Sequence, residues 1–184
     1  MTQHRLGAIA SQYTPKTVTW NQYAKPIESD NWQIQNSSYG STSFSNGVVT
    51  RTTTTATTQN YQNSVRTTYT VPMDPTHIYY AKHELNSNVS VQYVQLIGTA
   101  WRGYATPTVN EWTTIEAIGS PSNNSDATLY ICYVNTTSAV DTICSARNPI
   151  LIDLTQMFGA GNEPTSIDTL KQICKFNGHD LDEP

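Results

Sequence analysis

The chain is expected to be an all-β protein: a two-sheet antiparallel jelly-roll sandwich with a short C-terminal helix. Three observations lead there. Between residues 17 and 154, about ten short runs alternate polar and apolar residues with the period of two that turns one face inward and the other to water. These runs are rich in Thr, Val, Ile and Tyr, which fit a pleated surface, and turn residues instead of helix caps separate them. Helical spacing emerges only near the end, where Ile167, Leu170, Ile173 and Cys174 fall on one face.

Taken in order, residues 1–18 show little periodicity and carry Pro15, so they cannot bury enough to fold alone. They read as an N-terminal arm, either frayed or docked on a partner through Leu6, Ile9 and Tyr13. The sandwich is expected over residues 19–176, with a tail over 177–184. Thr17 to Trp20 opens the strands, Lys25 to Asn31 is a loop, and Trp32-Gln33-Ile34 alternates again. Asn46-Gly47 between Thr42–Ser45 and Val48–Thr55 is the strongest hairpin signal, with Phe44 and one of Val48 or Val49 turned inward. The Thr-rich run 50–58 reads as an exposed strand and its loop. Ser64 to Val71 is a strand ended by Pro72 and Pro75, which remove ladder donors. His77–Leu85 and Val89–Ile97 form the hydrophobic centre, joined by an Asn86-Ser87-Asn88 turn. Residues 98–110 read as a long connection, a length uncommon without a role. Trp112–Ile118 alternates, Pro121–Asp126 is a polar loop, and Ala127–Val134 looks like the clearest core strand. A short strand near Thr142-Ile143-Cys144 leads through Arg147-Asn148 into the last strand.

The 184 residues fit one domain large enough to fold without metal or disulfide support. Only 13% of residues are charged, so neutral polar groups must make most of the surface. The net charge is −4 with a pI near 5.4, and the scattered Lys and Arg leave no electrostatic footprint for nucleic acid. No apolar run approaches membrane-spanning length, and the N-terminus lacks a signal-peptide core, so a cytosolic origin is expected. The three cysteines, Cys132, Cys144 and Cys174, suit reduced, buried thiols better than a zinc site. A bridge between Cys132 and Cys144 across a hairpin is the alternative.

The most specific stretch is the run Ile152-Asp153-Leu154-Thr155-Gln156-Met157-Phe158-Gly159-Ala160-Gly161-Asn162-Glu163-Pro164-Thr165. A buried strand stops at glycines, Asn162-Glu163-Pro164 forces an extended exit, and Thr165 with Asp168 reads as a capping box. This run resembles the C-terminal signature of β-sandwich modules in tail and other structural proteins of bacterial viruses, modules similar to carbohydrate-binding jelly rolls. With Trp20-Asn21-Gln22, residues 43–48 and residues 77–82, the resemblance covers roughly residues 19–175. It implies a non-enzymatic virion protein, tail-associated or a capsid decoration or head fibre. Its expected setting is the virion, assembled in the host cytoplasm as a homo-oligomer or in many copies against other virion proteins. The alternative is an adhesion module that holds a host-surface glycan or receptor.

Hydrolysis of a glycoside needs paired carboxylates with one kept protonated, and Glu84, Glu111, Glu116, Asp126 and Asp153 sit in no such motif. His77 and His83, six apart in a strand, would lie about 20 Å apart and cannot share an ion. No cofactor is expected beyond a structural calcium, for which Asp153 is the candidate ligand. Sugar binding stacks an aromatic ring on a pyranose while amides and hydroxyls read its edges. Trp101, Arg102 and Tyr104 in the long connection, with Trp112 at a strand start, are the candidates. The competing expectation puts Trp32 and Trp112 in the core and Trp101 over a sheet edge.

Overall fold

The computed structural model describes residues 22–58, 62–122, 126–134, 138–176 and 181, excepting the side chains of residues 101 and 176. The arm with Leu6, Ile9 and Tyr13, the Thr17–Trp20 strand and most of the tail lie outside the described residues. The strands are β1 (Trp32–Ile34), β2 (Gly40–Ser45), β3 (Val48–Thr53), β4 (Val65–Thr67), β5 (Tyr79–Ser87), β6 (Tyr93–Ile97), β7 (Ala100–Ala105), β8 (Thr113–Gly119), β9 (Tyr130–Ile131) and β10 (Ile143–Asp153). Two short helices follow, α1 (Leu154–Phe158) and α2 (Ile167–Phe176).

A five-stranded antiparallel sheet in the order β2-β3-β10-β5-β8 makes one layer. The second layer joins the sheet β1-β4-β9 to the hairpin β6-β7 through a Tyr93–Val134 bridge and a 2.8 Å bond from Val94 N to Tyr133 O. The result is the expected two-sheet antiparallel sandwich of jelly-roll type. Period-two alternation decides its interior. Val49, Tyr79, Ala81, Leu85, Ile115, Ala117 and Leu151 from the first layer meet Trp32, Val65, Tyr93, Ile97 and Ile131 from the second. Burying each large side chain stabilises the fold by about 2 kcal/mol. Trp32 keeps its indole N–H satisfied by the carbonyls of Lys25 and Pro26, both at 3.2 Å.

The Asn46-Gly47 hairpin closes with both residues at positive φ, 50° and 73°, as a twisted two-residue turn requires. Phe44 pairs with Val49 and packs on the core. Gly103 is needed for a different reason: a Cβ there would stand 2.7 Å from the Glu116 carbonyl.

Several boundaries differ from expectation. Residues 50–53 are not an exposed strand, because β3 lies between β2 and β10 and buries Arg51 and Thr53 completely. The 98–110 connection contains β7, which returns along β6 with a bulge at Gln95–Leu96. The predicted 127–134 strand pairs with β4 over only two residues, since Cys132 adopts φ 53° and the chain then passes to β6. The strands near residues 64–71 and 89–97 shrink to β4 and β6. Conversely, the last two predicted strands are one, β10, with an irregularity between Arg147 and Ile150 where Asn148 takes φ 51°.

The run 152–165 builds the latch. Asp153 is the N-cap of α1, its carboxylate accepting the Gln156 N–H at 2.9 Å, while Oδ2 meets His77 Nδ1 at 2.7 Å. The Thr155 hydroxyl accepts the Ile78 N–H at 2.9 Å and donates to Glu163 at 2.6 Å. The α2 cap is Ser166, not Thr165: its hydroxyl accepts the Thr169 N–H at 3.2 Å. Leu170, Cys174 and Leu181 then cover Tyr80 and Ile152, with Ile118 and Ile150 packed alongside, on the outer face of the five-stranded sheet.

Candidate ligand-binding face

The latch covers only one end of that outer face. At the other end the strand registers lay out two rows, polar except at Val48, Ser45-Val48-Arg147-Glu84-Thr114 and Ser43-Thr50-Ser145-Asn86, crossing the sheet from β2 towards β8. Alternation dictates this, because the partners of these residues point inward. Ser41, Ser43, Ser45 and Thr114 are exposed, and the Thr50 and Ser145 hydroxyls bond each other at 2.9 Å.

Trp112 stands where β8 begins and is 39% exposed. Its ring is braced from one side by Arg147, whose guanidinium carbon lies 4.1 Å from the ring centroid. Arg147 is anchored in turn by Glu84 at 2.7 Å, and the Glu84 carboxylate also accepts the Asn148 amide at 3.0 Å. The irregularity in β10 places Asn148 there. Burial pushes the Glu84 carboxyl up, but Asn148 and Arg147 outweigh it and hold the group below its ordinary value. A depressed carboxyl supplies stability above its unfolded pKa of about 4.3 and loses it as pH falls through the lower folded value. The Arg147 brace is therefore expected to release in acid, below the ordinary carboxylate range, changing Trp112 emission. The difference in fluorescence between wild type and Trp112→Phe measures that step.

The other acidic residue on this face is engaged as well. Glu116 accepts from the Tyr80 hydroxyl at 2.8 Å and pairs with Lys171 of α2 at 2.9 Å. Beside it, a cleft of about 380 Å³ lies between β8 and the start of α2, lined by Arg102, Glu116, Ile118, Thr165, Ser166 and Asp168 among others.

The four aromatic and basic candidates do not converge. Trp112 is on the outer face and is not a core residue: it falls on the side of Thr114 and Glu116, against Arg147, while Ile115 and Ala117 point into the core. Arg102 reaches the cleft and donates from Nε to the Ser120 carbonyl at 2.9 Å. Tyr104 is 53% exposed on the outer face of the second layer, opposite Val94. Trp101 lies in β7, with its side chain outside the described residues. Both Asp153 oxygens already serve His77 and the α1 cap, so a calcium ion would have to share them. Among the described residues, no group of three or more His, Cys, Asp or Glu is placed to hold a metal. His83 is buried against Gln95 at 2.7 Å, and burial lowers its pKa to about 4. The residues missed from the sequence are Glu84 as a brace, Arg147 and Asn148. Asn148-Pro149, a polar turn pair inside an otherwise strand-like run, was the available sign.

No protein-family model and no curated protein sequence matches the chain. Among solved structures, similarity is found to the CBM22-1–GH10 modules of Clostridium thermocellum endo-1,4-β-D-xylanase 10B complexed with xylohexaose. That match has 12% identity and a TM-score of 0.44, covering 74% of this chain and 28% of the other. A structure titled as CBM4 structure and function matches at 9% identity and TM-score 0.45, covering 71% and 93%. The apo CBM1 of BiXyn10A matches at 12% identity and TM-score 0.45, covering 74% and 99%. At these values none of them assigns a role to a residue of this chain.

Proposed function

We propose that this protein is a non-catalytic module that binds a neutral glycan on the open face of its five-stranded sheet, with Trp112 as the stacking platform. The observation that carries the reading is the exposed Trp112 ring braced by Arg147, with Glu84 and Asn148 behind it, beside rows of Ser and Thr hydroxyls. A braced ring loses little conformational freedom when a pyranose stacks on it, and that lowers the cost of binding. Ser, Thr and Asn side chains alongside supply both donors and acceptors for sugar hydroxyls. Arg147 is paired with Glu84 and Lys171 with Glu116, and this supports an uncharged ligand over a sulfated or uronic one.

The state of two carboxylates on this face supports binding over hydrolysis. Glu84 is pushed in the wrong direction for a general acid, and both it and Glu116 are already tied to cations. A glycan array probed with the full chain tests the reading: binding to neutral oligosaccharides is expected, and silence on all neutral glycans contradicts it. Mounting on a virion, implied by the resemblance of residues 152–165, concerns where such a module sits and leaves the ligand face unchanged.

A further inference from the structure

In the five-stranded sheet β2 is an edge strand, paired with β3 on one side and, among the described residues, with no strand on the other. The two-residue turn at Asn46-Gly47 fixes which way its backbone groups face. Ser45 and Val48 flank the turn and bond each other through N–H and carbonyl, and the antiparallel pattern repeats this at every second pair, Ser43 with Thr50 and Ser41 with Thr52. The N–H and carbonyl groups of Thr42 and Phe44 therefore point away from β3. Among the described residues they have no hydrogen-bond partner. An open edge is ordinarily guarded by a charge, a proline or a bulge. β2 has none of these: residues 40–47 read Gly-Ser-Thr-Ser-Phe-Ser-Asn-Gly, and the register runs unbroken from Gly40↔Thr53 to Ser45↔Val48. The opposite edge is crowded instead. There β7 lies so close to β8 that a Cβ at Gly103 would stand 2.7 Å from the Glu116 carbonyl, and Lys171 of α2 holds the Glu116 side chain.

We propose that β2 is the interface of a two-fold homodimer, in which two copies pair their β2 strands antiparallel about Ser43 and join their five-stranded sheets into one. This register sets Thr42 of each copy against the partner's Phe44, so that every outward N–H of one strand meets an outward carbonyl of the other. Ser43 meets its own counterpart at the axis. A second copy is the occupant because the strand is its own complement: symmetry supplies the backbone groups in matched pairs, and the neutral side chains meet without charge repulsion. Ser, Thr and Phe carry no charge pattern that would select a different partner. The axis runs normal to the sheet, so both outer faces lie on the same side and the row Ser43-Thr50-Ser145-Asn86 continues across the junction. The pairing uses backbone groups alone and does not depend on what that face binds.

Sedimentation equilibrium of the full chain, without any glycan, is expected to show monomer and dimer in exchange. Ser43→Lys sets like charges against each other at the axis and should raise the dimer dissociation constant at least ~10-fold. Ser43 is exposed, so the circular dichroism spectrum should not change. Two cysteine variants then test the register. Ser43→Cys stands opposite itself and should give an inter-copy disulfide in mild oxidant, whereas Ser45→Cys places its thiols ~14 Å apart along the paired strands and should not. The native Cys132, Cys144 and Cys174 are buried and unbridged, so the introduced thiol is the accessible one. A chain that stays monomeric up to ~1 mM overturns the proposal. So does a dimer indifferent to Ser43→Lys, or one that Ser45→Cys cross-links as readily as Ser43→Cys.

Discussion

Asp153→Ala is expected to lower the unfolding free energy by about 2–4 kcal/mol. The carboxylate does two jobs from a fully buried position: it caps α1 through the Gln156 N–H and holds His77 at 2.7 Å. Losing an N-cap costs about 1 kcal/mol, and losing a hydrogen bond to a charged group costs about 1.5–3 kcal/mol. The loss falls where β10 becomes the latch, so the packing of α2 on Tyr80 and Ile152 should loosen with it. Asp153→Asn retains an acceptor for the cap and is expected to lose less. Urea denaturation of both variants measures the difference, and an Asp153→Ala protein within about 0.5 kcal/mol of wild type would show that the run 152–165 does not hold the latch.

Trp112→Ala is expected to weaken glycan binding at least ~30-fold, the loss of about 2 kcal/mol that marks a central contact residue. Trp112 is 39% exposed and carries the Arg147 guanidinium on its ring, so the substitution also costs some packing and lowers the melting temperature. The fold itself should remain, because the ring stands at a strand start outside the sandwich interior. Trp112→Phe should retain part of the affinity, because a smaller ring still stacks. Arg147→Ala should lie between, since it removes the brace and leaves the platform. Isothermal titration with a glycan found on the array, paired with thermal melts, separates these outcomes.

Fold class was legible because alternation is a local property. Trp32–Ile34, the Asn46-Gly47 hairpin, the two faces of β5 and the apolar stripe of α2 all follow from spacing alone. What failed were features that tertiary partners decide. Arg51, a charged residue in a threonine-rich run, looks like surface until β3 is placed between β2 and β10. Residues 127–134 look like one strand until Cys132 turns the chain from one neighbour to another. The Gly- and Thr-containing stretch after Ile97 looks like a loop because β7 pairs through a bulge, which breaks the alternation. At the candidate ligand face, Trp112 was visible as an aromatic at a strand start. Its brace was not, because Glu84 and Arg147 are 63 positions apart and meet only through the β5–β10 register.

The location of the binding face is tested most directly by following backbone amide NMR shifts while a neutral oligosaccharide is titrated into the full chain. The account predicts that the largest changes fall on Trp112, Thr114, Glu84, Arg147 and the Ser43–Thr50–Ser145 row, with β6 and β7 undisturbed. Changes centred on Tyr104, Val94 and Tyr130 of the opposite layer would contradict it.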